Sequence, residues 1–453
     1  MVCVSQKSIA VRERQDLIKK LQAVIDIRPG ELPLALLMFA YFFLVITTFW
    51  ILKPIKKGLF IEFYDSGGFD LLGVTFSAPQ AELLAKVLNM VVAFIAVVVF
   101  SRLSHSLRRQ QLTYVFVAFF VVCCLLFSRW LLNPADASVW SFYLFGDLYS
   151  TLMVATFFAF LNDSVTPQAA KRLYGLVGLG GVSGGVFGTS VVIANVSLLS
   201  TPGWLWVCSA ISLLIGVLAW AAGRQVMAQA PTGITEEPTA SQPGNPATEG
   251  ARLVFSSRYL LSIVAIVGLY EIISTILDFQ FTFTVAHFLD GPDIGKHFAL
   301  VFTITNWVSL LVQLFLTGFI MTRFGVAVAL LVLPFTVALG SSAFLLFPML
   351  WVGSLLNTAD NGFSYSINQS AKEALYVPTS AAEKYRAKAF IDMFVQRFAK
   401  AIAVVISLGI TFAFTDFSSL RYLGIITLVL LVIWVIAARY AGGEFARMES
   451  TDG

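Results

Sequence analysis

Charge is what this chain has least of. Only 12% of its 453 residues are Asp, Glu, Lys or Arg, while 58% are hydrophobic. A soluble domain carries about a quarter charged residues, so a mean hydropathy of +0.83 excludes an ordinary water-soluble fold and calls for lipid. Histidine is nearly absent, with three residues, and none pairs with a cysteine or a second histidine at ligand spacing. The four cysteines are equally uninformative: Cys3 lies near the start and Cys123, Cys124 and Cys208 lie inside apolar segments. A disulfide framework and a metal site are both excluded on that pattern. No nucleophile stands beside a base, so no enzyme and no cofactor are expected. The start lacks the pattern of a signal peptide: VRERQDLIKKLQAVIDI is charged and amphipathic, and residues 1–32 read as a helix on the cytoplasmic membrane surface, ended by Pro29-Gly30.

Long apolar runs are abundant, and phenylalanine is common at 41 residues. A hydrocarbon core of about 30 Å takes about 20 residues of helix. Runs of that length fall near 33–53, 81–101, 112–132, 139–161, 173–199, 203–222, 258–280, 297–320, 325–347, 349–372, 386–412 and 420–440. The expectation is an all-α membrane protein of about twelve transmembrane helices.

Between the sixth and seventh runs lies RQVMAQAPTGITEEPTASQPGNPATEGAR, whose Pro, Gly, Thr and Glu content marks a flexible linker. The expected layout is therefore a helical half at 33–222, a cytoplasmic linker at 223–257, a second half at 258–440 and a tail at 441–453. VTPQAAKRLYG (165–175) and VPTSAAEKYRA (377–387) share Val, Ala, Ala at one offset and follow equivalent runs of the two halves. Parallel repeats of this kind are the plan of major-facilitator-type transporters. Lys and Arg crowd the segments that lie on the N-terminal side of the membrane, with Arg102, Arg108, Arg109, Lys171, Arg172 and Arg224 among them. The opposite rims hold only Lys56, Lys57, Arg129, Lys296 and Arg421. That bias predicts cytoplasmic termini and a cytoplasmic linker, in a bacterial inner membrane.

Several charges fall where lipid should forbid them. In AKAFIDMFVQRFAKAIAVV (387–405), Lys388, Asp392, Gln396 and Lys400 recur every fourth residue, with Arg397 beside them. On a regular helix they form one stripe, and Lys400 lies about 18 Å deeper than Lys388. Asp147, Glu271 and Asp360 are comparably deep in their own runs. A charge at a helix centre costs about 2.5–3.5 kcal/mol on insertion scales, so these groups should face one another or a watery cavity suited to a polar substrate. Scaffolding ion pairs are the competing reading, and snorkelling suits Lys57, Lys388 and Lys86. Asp392 has Lys388 or Lys400 as a partner one turn away. GLVGLGGVSGGVFG (175–188) can be read as a phosphate loop, but its glycines sit inside an apolar run and repeat at i,i+4, the pattern of close helix packing.

RPGE (28–31), WILKPIKKGLF (50–60), FAFLNDSVTPQAAKRLYGLVGLGG (158–181) and above all NQSAKEALYVPTSAAEKYRAKAFIDMFVQRFAKA (368–401) resemble the ATP/ADP translocase, or nucleotide transporter, family of plastids and obligate intracellular bacteria. The resemblance implies an ATP:ADP antiporter of the major-facilitator type that binds a nucleotide or another phosphorylated anion. It implies functional charges at Lys56 (or Lys53), Asp147, Glu271 and Lys388, with Lys400 following. Lys56, Lys388, Arg397 and Lys400 are then the expected substrate-binding bases, and Asp147, Glu271, Asp392 and Asp360 the expected charge partners or coupling groups. The expected transport unit is a monomer in a lipid bilayer, with no nucleic-acid partner. A proton-coupled carrier of another anion, titrating at Glu271 and Asp147, and a non-transporting membrane scaffold are the alternatives.

Overall fold

The computed structural model describes residues 31–165, 167–229, 246–379, 387–414, 416–417 and 419–452. The expected N-terminal surface helix up to residue 30, residues 230–245 of the expected linker and most of the VPTSAAEKYRA segment lie outside the described residues.

Helix dominates. The chain runs through α1 (Leu32–Tyr64), α2 (Ala78–Ser106), α3 (Arg109–Trp130), α4 (Asp136–Ser164), α5 (Pro167–Asn195) and α6 (Thr201–Gln229). The short α7 (Pro246–Ser256) precedes α8 (Arg258–Phe288), α9 (Pro292–Leu311), α10 (Gly318–Leu346), α11 (Leu350–Phe363), α12 (Gln369–Ala374), α13 (Lys388–Phe390), α14 (Gln396–Ala413) and α15 (Ser419–Asp452). Wide π-helical turns join three of these pairs, at Val312–Thr317, Ser364–Asn368 and Ile391–Val395. A hairpin of β1 (Phe69–Leu71) and β2 (Val74–Phe76) links α1 to α2 in antiparallel register, Phe69 opposite Phe76. Its turn residues Leu72 and Gly73 have φ of +53° and +83°, the positive pair that a two-residue hairpin needs to match strand twist.

Among the described residues, ten stretches are long and apolar enough to cross a membrane, against the twelve or so expected. The difference has two physical sources. Pro292–Leu346 counts once at 55 residues, about 80 Å of helix and more than twice a hydrocarbon core; the chain breaks at Gly325, with φ +81° and ψ 172°. Leu350–Ala374 fails on composition, because Asn357, Asp360, Asn361, Ser364, Ser366 and Asn368 interrupt its apolar run.

Two apolar cores organise these helices. One gathers α1–α6 around Tyr41, Phe120, Phe157 and Trp204, and the other gathers α8 and α10–α15 around Ile263, Leu333 and Trp434. Large apolar side chains such as Phe94, Leu126, Leu213, Phe335 and Val432 remain outside both and are exposed, as a lipid-facing surface requires. The glycine-rich α5 lies against α1. A Cβ at Gly180 would sit 2.8 Å from the Phe39 carbonyl oxygen and one at Gly188 2.7 Å from that of Thr47, with Gly184 against Phe43 between them. Glycines every fourth residue thus let two backbones touch, and the stretch 176–188 is a packing surface.

A third apolar cluster joins the two sets of helices at one end, through Phe60, Tyr143, Phe281 and Phe298. Polar contacts reinforce that end. Gln80 Nε2 donates to Thr411 Oγ1 (3.1 Å), and Thr303 Oγ1 donates to the Thr189 carbonyl (3.0 Å). Gly58 and Gly295 let α1 and α9 meet there. Below this closed end the two sets part around a cavity.

Candidate functional site

The cavity measures about 540 Å³, within the usual 300–1,000 Å³ of small-molecule sites. Its wall follows from helical spacing. Lys53, Lys56 and Lys57 lie within one turn near the end of α1, and Glu82, Lys86 and Asn89 share one face of α2. α8 contributes Glu271, Ser274 and Asp278 at i, i+3 and i+7, and α14 contributes Gln396, Arg397 and Lys400. A second cavity of about 450 Å³ shares Tyr270, Glu271, Tyr365, Asp392 and Gln396 with the first and reaches Lys372, Glu373 and Lys388 at the end opposite the closed one.

Most of these charges are paired, because a low-dielectric wall penalises a lone ion. Lys56 contacts Asp147, whose other oxygen accepts from Asn89 Nδ2 (2.6 Å). Lys57 lies 2.9 Å from Asp278 and 3.2 Å from Glu82. Lys86 also contacts Asp278 and is 3.7 Å from Glu82, which accepts from Tyr143 Oη (2.9 Å). These four charges tie α1 and α2 to α8. Lys400 Nζ is 3.4 Å from Glu271 Oε2.

The structure brings Lys56, Asp147, Glu271, Asp392, Arg397 and Lys400 to the main cavity. Arg397 donates to the Met90 carbonyl at 3.2 Å, reaching α2 across the cavity. Lys388 stands in the second cavity, 2.5 Å from Glu373 and over the Tyr376 ring. The expected pairing of Asp392 with Lys388 or Lys400 is corrected. Asp392 accepts from Gln396 Nε2 (3.1 Å), while Lys388 and Lys400 take Glu373 and Glu271. The stripe itself holds, since Lys388, Asp392 and Gln396 line the second cavity and Asp392, Gln396 and Lys400 the first. Its lysines turn instead to Glu373 on α12 and Glu271 on α8, carboxylates of other elements that face the same cavities. Asp360 is buried behind the wall, accepting from Ser274 Oγ (2.7 Å), with no cation within ion-pair distance among the described residues. As a charge partner it is displaced by a hydroxyl.

Glu82, Lys86, Lys57 and Asp278 are the residues that the sequence reading undervalued. Lys57 and Lys86 engage carboxylates inside the protein, so snorkelling does not describe them. The signal was present in Glu82 and Lys86, an i,i+4 pair of opposite charges within an apolar helix. Its partner on α8 was hidden by 192 residues of sequence.

In total six cations and five carboxylates line the main cavity, interleaved with Phe49, Tyr143, Tyr270 and Tyr365. Such a wall suits a ligand that is strongly anionic at one end and aromatic at the other.

Comparison with known proteins points the same way. A family model described as TLC ATP/ADP transporter matches residues 130–350 and 345–445. The chain is 23% identical to ADP,ATP carrier protein 1 of Chlamydia muridarum, over 90% of this chain and 88% of that one. It is also 23% identical to the chloroplastic ADP,ATP carrier protein 1 of Arabidopsis thaliana, over 84% and 71%. Among solved structures, a mutant of the nucleoside transporter NupG superposes with a TM-score of 0.64 at 14% identity, covering 92% of this chain and 99% of that one. The xylose transporter XylE in its inward-open conformation superposes at 0.57, with 12% identity, 89% of this chain and 95% of that one. Those likenesses fix the fold as that of the major-facilitator transporters. With most of its length matched by one family model, the chain belongs to the TLC ATP/ADP transporter family.

Proposed function

We propose that this integral membrane protein exchanges adenine nucleotides, ATP against ADP, through the charged cavity. The observation that carries the reading is a wall in which cations outnumber carboxylates and most of the cations are already held by carboxylates. A polyphosphate entering such a site replaces a carboxylate as the partner of Lys56 and Lys400, and the Met90 carbonyl as the partner of Arg397. Asp147 and Glu271 then compete for the same bases, which keeps binding reversible. Exchange needs that balance, since a cavity of unpaired lysines would hold the nucleotide and stop turnover.

The halves 33–222 and 258–440 rock about the site in this reading, joined by 223–257. With cytoplasmic termini, as the Lys and Arg distribution supports, the closed end faces outward and the cavity opens to the cytoplasm. Lys57, Lys86, Glu82 and Asp278 form the outer lock, because they link α1 and α2 to α8 at the closed end. Purified protein tests the reading through its melting temperature. A ligand at a hundred times its Kd stabilises by about 2.7 kcal/mol, so ATP and ADP should each raise the midpoint by several degrees. Inorganic phosphate at equal concentration should do far less. Equal melting with and without nucleotide contradicts the proposal.

A further inference from the structure

Four of the six cavity cations have a carboxylate within 4 Å, and Arg397 is held by the Met90 carbonyl. Lys53 has neither an ion pair nor a hydrogen bond among the described residues. Its ammonium lies instead inside a box of aromatic rings. Nζ is 4.4 Å from the Trp50 ring centroid, 5.1 Å from Phe302, 5.8 Å from Phe49 and 5.9 Å from Tyr365. Trp50 and Phe302 are buried at 6% and 3% exposure, whereas Tyr365 is open at 49% and lines both cavities. The box is therefore closed on one side and open toward the site. Pro54, the next residue, has no N–H to give the Trp50 carbonyl, so α1 lacks one of its own hydrogen bonds beside the box.

A ring face attracts a cation without forming a directed hydrogen bond. Every ammonium proton of Lys53 is thus available to an oxyanion, whereas Lys56 or Lys400 must first give up a carboxylate. Charge-assisted contacts to phosphate are stronger than cation–π contacts, so the exchange of partner favours the anion. A four-carbon stem lets the ammonium travel into the cavity while the rings stay packed.

Resting on the nucleotide reading above, we propose that Lys53 is a phosphate-binding and specificity-determining residue held in reserve by the Trp50–Phe49–Phe302–Tyr365 box. It leaves the rings for the terminal phosphates of a nucleoside di- or triphosphate and returns to them on release. The aromatic box, rather than an acidic residue, is its resting partner.

Equilibrium binding of ADP and of adenosine to purified protein tests this, with Lys53→Gln and Lys53→Arg beside the wild type. Lys53→Gln should bind ADP roughly ten- to a hundredfold more weakly, the loss of one charge-assisted contact. It should bind adenosine as the wild type does, and Lys53→Arg should recover most of the ADP affinity. ADP should also change tryptophan emission as the cation leaves the indole face, a change absent from Trp50→Phe. That optical readout stands even if Lys53→Gln does not fold. ADP affinity within twofold of wild type in Lys53→Gln overturns the inference and leaves nucleotide binding intact. Equal losses for ADP and adenosine assign Lys53 a structural role and overturn it too, as does an unchanged Trp50 signal. A wild type that binds neither ADP nor ATP removes the nucleotide reading and this inference together.

Discussion

Lys400 and Glu271 show how a single pair divides structural from functional roles. Glu271 is 13% exposed and Lys400 46%, at 3.4 Å, so the acid depends on the base more than the base on the acid. Lys400→Gln leaves a buried carboxylate without its cation, a loss of about 1–3 kcal/mol. The double variant Lys400→Gln with Glu271→Gln should regain that stability. It should still fail to exchange nucleotide, because phosphate has lost a cation. Thermal melting together with exchange rate checks both halves of the expectation, and restored exchange in the double variant makes the pair scaffolding. At this scale much was legible. Asp147, Glu271, Arg397 and Lys400 reach the cavity because an ion deep in an apolar helix has few other places to go. Asp360 obeyed the same depth argument and ended behind the wall, since a serine hydroxyl can satisfy a carboxylate as a cavity does and depth does not distinguish them. Lys86 was misjudged for the converse reason: nothing on α2 announces the Asp278 carboxylate waiting on α8.

Among the elements, α5 makes the sharpest claim. Gly184 lies against the Phe43 backbone, which gives way less than a side chain does. Gly178 on the same helix is exposed, with no atom within 4 Å of where its Cβ would be. Gly184→Leu should therefore separate α1 from α5, costing about 1–3 kcal/mol or more as overpacking. Gly178→Leu should melt within about 0.5 kcal/mol of wild type. Equal melting of the two variants contradicts the packing role of the glycine ladder. That ladder was readable from its i,i+4 spacing. The stripe of 388–400 was readable as a cavity-facing row, but the partners of its lysines were not, because Glu373 and Glu271 lie on other elements. The hairpin at 69–76 was also missed: three-residue strands carry too little alternation to rise above an apolar background.

For the whole molecule, the outer lock and the cavity are one device. Asp278 is the carboxylate of α8 that holds both Lys57 and Lys86, so the attraction between the two sets of helices at that end runs largely through it. Asp278→Asn should favour the outward-open state by at least about 1.4 kcal/mol, a tenfold shift in population. A cysteine at Thr411, which sits at the closed end against Gln80, should then be alkylated from the outside several times faster in an otherwise cysteine-free protein. An unchanged rate contradicts the lock.

The central claim is exchange of nucleotide through this cavity, and counterflow measures it most directly. Proteoliposomes loaded with unlabelled ADP should take up labelled ATP many times faster than empty ones and lose internal ADP one for one. Replacing Lys56 and Lys400 together by Gln should abolish that uptake while the protein remains folded. ATP uptake that is indifferent to internal ADP, or that survives the loss of both lysines, contradicts the account.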